Sequence, residues 1–345
     1  MGRGWRALVG LGAGEHGQLV TVSLVTGARG FVGGWLAKAL LERGDRVVSF
    51  DRRRLTEKPS AVEMLGIEDD LIQVEGDLCD ADELARVLRD NSADSVFHLA
   101  AETIVSTVQA SPVQGFESNV RGTWTLLQAC LDHGVERVVF ASSDKAYGAH
   151  ETLPYCEDFP LQPTAPYEAS KAAADLIARS YWHSYGLPIA VTRFANIYGG
   201  GDLNFSRLIP EAVSAALSGR APVLRSDGSP ERDFLFVEDA ASAYLAIADG
   251  LDRDDVRGEA FNAGGGRSYP VLEVIEAIAR LAETGVEPDV RGTGNPEGEI
   301  DRQYVDPTKI RETLGWEPAV GLEEGLERTI AWYSEHPESW APAPQ

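Results

Sequence analysis

The 345-residue chain is longer than one hydrophobic core usually serves, so one extended domain or two subdomains is expected. Its apolar share of 43% and charged share of 25% are those of a soluble globular protein, not a disordered or fibrous one. With 54 acidic against 31 basic residues, the net charge of −23 argues against nucleic acid or an anionic membrane as a partner.

Residues 1–20 read as a flexible leader. Arg3 and Arg6 precede an apolar stretch broken by Gly10, Gly12, Gly14 and Glu15, which makes a poor signal peptide. Gly12-Ala13-Gly14-Glu15-His16-Gly17 spells G-x-G-x-x-G, but a β-type run follows it where a dinucleotide site needs a helix. A strand is expected at 21–25 and a helix at 33–43, with Leu36, Ala39 and Leu40 on one face. Strands at 46–50 and 71–74 follow, then a helix at 82–88 and a strand at 94–100. A helix at 123–131, a strand at 137–141, a long helix at 167–184 and a strand at 189–192 complete the first part.

Strands alternating with helices in this way imply βαβ units. The fold class is therefore α/β, a Rossmann-type doubly wound parallel sheet with a smaller mixed C-terminal substrate-binding region. Residues 21–195 would form the dinucleotide-binding domain and 196–336, interleaved with it, the substrate region. In that region short strands at 223–224, 234–236 and 259–262 alternate with helices at 208–217, 239–248 and 271–281, before a helix at 322–333 and a frayed tail at 337–345. A lobe packed over the carboxyl edge of the sheet makes a cleft where ligands bind.

Cys79, Cys130 and Cys156 are an odd number at wide spacing, which fits a reducing cytoplasm and no disulfide framework. The six histidines are scattered, so no metal is expected. No apolar run reaches the roughly 18 residues of a membrane span.

Thr26-Gly27-Ala28-Arg29-Gly30-Phe31-Val32-Gly33 lies between a strand and a helix, the context in which glycines cradle a pyrophosphate at a helix N-terminus. Gly27 permits the tight turn, Gly30 lets the backbone approach the phosphates, and Gly33 lets helix and strand pack closely. Asp51 follows the next strand, eighteen residues after Gly33, where a carboxylate accepts hydrogen bonds from adenosine ribose hydroxyls. That favours NAD over NADP. Arg52-Arg53-Arg54 keeps the alternative open, since an arginine there could embrace a 2′-phosphate.

Tyr167 and Lys171 stand four residues apart on one helical face. An ammonium beside a phenol lowers the tyrosine pKa, and a tyrosine so tuned takes a proton from an alcohol while hydride leaves for NAD. With the turn at 26–33, Gly76-Asp77-Leu78, His98-Leu99-Ala100-Ala101, Asn119, Ala141-Ser142-Ser143, Pro166-Tyr167 with Lys171, and Arg193-Phe194-Ala195-Asn196, the chain resembles the extended short-chain dehydrogenase/reductase family over nearly its whole length. The resemblance implies a catalytic trio of Ser143, Tyr167 and Lys171 and action on nucleotide-activated sugars. It implies cofactor contacts at Gly27, Gly30, Phe31, Val32, Asp51, Arg52, Asp77, Leu78, Leu99, Ala100, Ala101, Asn119, Tyr167 and Lys171.

Asp144 and Lys145 directly follow Ser143. A 4-epimerase of this family needs only the trio. A 4,6-dehydratase also needs a base for the C5 proton and an acid for the leaving C6 hydroxyl, which an adjacent carboxyl and amine could supply. Ser143-Asp144-Lys145 resembles the arrangement of CDP-glucose 4,6-dehydratases and of inverting UDP-N-acetylglucosamine dehydratases, which implies Asp144 as acid and Lys145 as base. The bland reading is an ion pair shaping a loop. Arg232-Asp233-Phe234 departs from the Arg-Pro-Trp of the CDP-glucose pattern. Substrate contacts are expected at Thr103, Asn196, Asn204, Arg207, Arg225, Arg232 and Arg302, the arginines gripping the diphosphate. Helices around 115–131 and 167–184 form a four-helix dimer interface in related enzymes, so the resemblance implies a homodimer.

Overall fold

The computed structural model describes residues 20–53, 58–294 and 300–340. Residues 1–19 of the expected leader, with its glycine pattern at 12–17, Arg54 and the last five residues of the tail lie outside the described residues.

Seven parallel strands form the central sheet: β1 (Val22–Thr26), β2 (Arg46–Asp51), β3 (Ile72–Glu75), β4 (Ser95–His98), β5 (Arg137–Ala141), β6 (Ile189–Phe194) and β7 (Ala260–Ala263). Their order is β7-β6-β5-β4-β1-β2-β3. β4, β5 and β6 are buried along their length apart from Arg137, as expected of a parallel sheet covered on both faces. On one face, helices Phe31–Arg43 and Val237–Gly250 bury Leu36, Ala37, Leu40, Ala243 and Ile247. The inward stripe on the first runs Gly33, Leu36, Ala37 and Leu40 at three- and four-residue spacing, which leaves Ala39, expected inward, half-buried at its side. On the other face, helices Ala81–Asn91, Gly122–His133 and Pro166–Tyr185 bury Leu84, Leu88, Leu126, Cys130, Ala174 and Ala178. The chain order reverses between β1 and β4, which places the binding crevice above their carboxyl ends.

A second core lies beyond that edge. Helices Leu208–Leu217, Val271–Leu281 and Leu322–Glu335 enclose Ile209, Val213, Val274, Ile278, Leu326 and Tyr333 with Phe234 and Phe236. Asn196–Tyr198 runs parallel to Phe234–Phe236, and Glu231–Arg232 lies between Tyr269–Pro270 and Arg302–Gln303. The segment between these small sheets returns to the main sheet as Val237–Gly250 and β7. The tail expected to fray does not do so at 337–340: Pro337–Ser339 forms a helical turn, and the Trp340 indole donates to the Tyr333 carbonyl at 2.7 Å.

Candidate functional site

The glycine turn closes β1 onto helix Phe31–Arg43 with no spare room. Gly27 has φ +79°, and a Cβ there would lie 2.8 Å from the Ala100 backbone nitrogen. A Cβ on Gly33 would lie 2.0 Å from the Gly27 carbonyl oxygen. Both close approaches demand glycine, and they bring the helix N-terminus over the end of the sheet with its first N–H groups directed outward. Asp51 ends β2 beside the turn. One of its oxygens accepts the Arg29 N–H at 3.2 Å, whereas Oδ2 is buried without a hydrogen-bond partner. Burial pushes this carboxyl up to about 6. An acceptor in that position, next to a bare glycine turn, fits the ribose hydroxyls and pyrophosphate of NAD. Arg52 and Arg53 are exposed.

Opposite the turn, Ala100 donates its N–H to Thr26 Oγ1 at 3.2 Å, which holds Leu99, Ala100 and Ala101 along the crevice. His98 sits beneath, bonded to Thr26 Oγ1 at 2.8 Å and to Thr123 Oγ1 at 3.0 Å. Burial drives this imidazole down to about 3, so it is a neutral strut. Asn119 spends its amide elsewhere than the expected cofactor contact. Its Oδ1 accepts the Glu102 N–H at 2.7 Å, and its Nδ2 donates to the Glu102 carbonyl and to Ser170 Oγ. It therefore ties the 99–104 loop to the catalytic helix, and the wide turn Glu117–Arg121 aims it there. Asp77 caps its own turn by accepting the Cys79 N–H, while Leu78 is buried beneath the helix that begins at Gly122.

Ser143 starts a single helical turn, Asp144–Tyr147, by accepting the Lys145 N–H at 3.2 Å, and its hydroxyl donates to Asp144 Oδ1 at 3.1 Å. Asp144 is buried with Oδ2 unpartnered, and burial raises its pKa against the pull of Lys145 and Ser143. Tyr167, near the start of helix Pro166–Tyr185, faces Ser143, Asp144, Arg207 and Glu102. Lys171, one turn on, donates to the Ala141 carbonyl at 2.7 Å. The expectation that Lys171 lowers the Tyr167 pKa is corrected here. Burial pushes the phenol up to about 12 and the ammonium down to about 8, and Arg207 is the principal cation that pulls the phenol back. Desolvation of both groups in a closed core outweighs what spacing on a helix face predicts.

The substrate residues divide. Arg207, held by Asp202 at 2.9 Å, and Arg232, whose charge reaches Asp144, stand at the site. Asn196 lies on the same wall and donates to the Asp233 carbonyl at 3.0 Å. Asn204 accepts from Ser206 in a local turn, and Thr103 is exposed on the opposite loop. Arg302, expected at the diphosphate, pairs with Glu231 at 2.8 Å and lies over the Tyr304 ring. Arg225 is exposed, and no contact among the described residues brings it to the others. Residues to which sequence reasoning gave no role are those that orient: Thr26, Asp202 and Tyr147, which lie within motifs, and Glu102. Thr26 and Asp202 adjoin motif glycines, a signal that could have found them; Glu102 carries none. Among the described residues no group of three or more potential ligands could hold a metal ion.

Residues 24–329 match the family described as GDP-mannose 4,6 dehydratase. The chain is 34% identical to a dTDP-glucose 4,6-dehydratase of Xanthomonas campestris pv. campestris, covering 90% of this chain and 92% of that one. It is 35% identical to a dTDP-glucose 4,6-dehydratase of Streptomyces griseus, covering 94% and 97%. Its structure resembles that of a dTDP-glucose 4,6-dehydratase from Streptomyces venezuelae solved with NAD and TYD bound, with TM-score 0.84, 34% identity and coverage of 93% and 99%. A UDP-glucose 4-epimerase from Thermotoga maritima, solved with UDP-glucose, matches with TM-score 0.83 and 28% identity over 91% and 99%. With its glycine turn, its Ser143, Tyr167 and Lys171 in one crevice, and this match over most of its length, the chain belongs to the GDP-mannose 4,6 dehydratase family, within the extended short-chain dehydrogenases/reductases.

Proposed function

We propose that this protein is an NAD-dependent nucleotide-sugar 4,6-dehydratase. The carrying observation is the turn at 143–147, which joins Ser143 of the oxidising trio to a buried Asp144 whose free oxygen has no partner, with Lys145 adjoining. Residues 21–195 would hold the cofactor and 196–336 the nucleotide sugar. Gly27, Gly30, Phe31 and Val32 would cradle the pyrophosphate, Asp51 the adenosine ribose, and Arg207 and Arg232 the substrate diphosphate.

When bound, NAD accepts hydride from C4 and returns it to C6. Tyr167 takes the C4 hydroxyl proton while Ser143 hydrogen-bonds the same oxygen, and Lys171 steadies the charge on the phenol. The resulting C4 ketone acidifies the C5 proton, which Lys145 removes. Asp144, whose burial raises its pKa and so favours the protonated form, donates to the departing C6 hydroxyl, which leaves as water. Lys145 then returns a proton to C5 as C6 is reduced, the C4 ketone is kept, and the proton taken by Tyr167 makes good the one that Asp144 gave to water, so the products are a 4-keto-6-deoxy sugar and one water. A 4-epimerase would use only the first of these steps, so a partnerless buried acid beside the trio favours dehydration.

Incubating the NAD-loaded protein with dTDP-, UDP-, CDP- and GDP-sugars, and scoring by mass spectrometry for loss of one water, tests the reading. Solvent deuterium should enter at C5. A C4-inverted product with every hydroxyl intact would replace this function with epimerisation.

The working form would be a homodimer. Helices Pro112–Phe116, Gly122–His133 and Pro166–Tyr185 expose Val113, Phe116, Trp124, Leu176 and Tyr185, an apolar surface that a second copy would cover. A cytoplasmic location is supported by three free cysteines, Cys79, Cys130 and Cys156. No helix among the described residues is long and apolar enough to cross a membrane.

A further inference from the structure

Behind the catalytic turn lies a buried polar network whose hydrogen bonds reach none of Ser143, Tyr167 and Lys171, while its Asp175 carboxylate acts on Lys171 through charge alone. Arg193 and Asp175 form a bidentate ion pair at 2.8 and 2.9 Å, with both side chains essentially sealed from solvent. Arg193 also donates to the Tyr147 phenol at 3.1 Å and to the Glu157 carbonyl at 3.1 Å. The Tyr147 hydroxyl donates in turn to Asn262 Oδ1 at 2.8 Å. Asn262 donates onward to the Tyr155 carbonyl, and the Tyr155 hydroxyl to the Gly148 carbonyl, each at 2.8 Å. Buried polar groups cost stability unless satisfied, and here each bond is made to another member or to the backbone beside it.

The two ends of the catalytic turn are held by different means. Its leading end hangs from the sheet: the Ser142 N–H bonds the Thr192 carbonyl at 2.9 Å, and Lys171 bonds the Ala141 carbonyl. Its trailing end, Tyr147 and Gly148, is held by the network at the Tyr147 phenol and the Gly148 carbonyl, and by the Gln162 N–H on the Tyr147 carbonyl at 3.0 Å. Asp144 and Lys145 lie between these anchors. Asp175, four residues after Lys171, carries the same network onto the catalytic helix.

We propose that Tyr147 is a positioning residue for the elimination step, setting the acid–base pair Asp144 and Lys145 through its bonds to Arg193 and Asn262, while oxidation at C4 is positioned by the sheet and the catalytic helix. The inference rests on the dehydratase reading. It deepens that reading by dividing the reaction between two structural supports.

Tyr147→Phe removes both phenol bonds and keeps the ring that fills the core. Wild-type and variant proteins, each loaded with NAD, are mixed with the nucleotide sugar that the wild type dehydrates, with dTDP-glucose the first probe. Reduced-nicotinamide absorbance and water-loss product are followed in one turnover. Oxidation should proceed at the wild-type rate, elimination should slow by about 10- to 100-fold, and reduced nicotinamide should accumulate on the variant. Parallel slowing of both steps, or no change in either, overturns the proposal, because a merely structural role gives no split. Should Tyr147→Phe not fold, Tyr155→Phe reports on the same end of the turn through Gly148, and the same split is required. A wild type that forms no water-loss product from any sugar sinks the dehydratase reading itself. A dehydrating wild type without the split sinks only the role of Tyr147.

Discussion

Replacing Asp51 with asparagine should separate what this carboxylate does for the cofactor from what it costs the fold. Burial lifts its pKa from 3.8 to about 6, with the Arg29 N–H opposing. At about 1.4 kcal/mol per pH unit, that rise amounts to roughly 3 kcal/mol. The sign follows from linkage. A carboxyl whose folded value lies above its unfolded value burdens the folded state once ionised. The burden is absent below about pH 4, grows through the interval, and is complete above about pH 6. An asparagine keeps an oxygen for the Arg29 N–H and removes the charge, so Asp51→Asn should stabilise the cofactor-free protein at about pH 8 by up to roughly 3 kcal/mol. For a chain of this length that raises the unfolding midpoint by roughly 4 °C. Meanwhile NAD affinity should fall about 10- to 100-fold, as charge-assisted bonds to the ribose hydroxyls become neutral ones. Calorimetry of cofactor-free wild type and variant at about pH 8 and about pH 4.5, with titration calorimetry of NAD, measures both quantities. A variant less stable than wild type at the higher pH, or a stability difference that does not shrink at the lower one, refutes the reasoning.

Asp144→Asn should leave C4 oxidation near wild type and slow loss of water by about 10²- to 10⁴-fold, measured by water-loss product against reduced-nicotinamide absorbance. Equal loss of both would make Asp144 a loop-shaping ion-pair partner. Gly33→Ala forces a Cβ to within 2.0 Å of the Gly27 carbonyl oxygen, so the turn must open. Such overpacking costs about 1–3 kcal/mol, and equilibrium dialysis should show NAD binding weakened by at least about tenfold, with wild-type affinity counting against the close-packing argument. Trp124→Glu combined with Leu176→Glu places charge on the exposed face of two helices and should leave a folded monomer by sedimentation velocity. Sedimentation of the double variant identical to that of the wild type would move the interface elsewhere.

Most of the fold was legible because its elements announce themselves locally. β1, the glycine turn and helix Phe31–Arg43 follow from a β-rich run, three glycines and helical spacing, and the alternation that continues to β6 implies a parallel sheet. Shorter pieces such as Val105–Ala110 and Arg302–Gln303 carry too few residues for a period to show, and the second is a strand only because Glu231–Arg232 pairs with it. The turn at 337–340 leaves no local pattern for the same reason. Its docking depends on Tyr333, which only the folded helix brings within reach of Trp340.

At the site, the sequence by itself determined which groups are present: the turn at 26–33, Asp51, the trio Ser143, Tyr167 and Lys171, and Asp144 with Lys145. Steric need for glycine and the spacing of side chains on one helix are local properties, so a linear reading reaches them. Charge state and direction are not local. Only the tertiary structure buried Tyr167 and Lys171 deeply enough for desolvation to push the phenol up and the ammonium down. It also turned Arg302 toward Glu231 and engaged Asn119 with Glu102 and Ser170. The glycine turn therefore identified the cofactor class from sequence, whereas packing decided which arginines face the crevice, because desolvation and ion pairing depend on residues far apart in the chain.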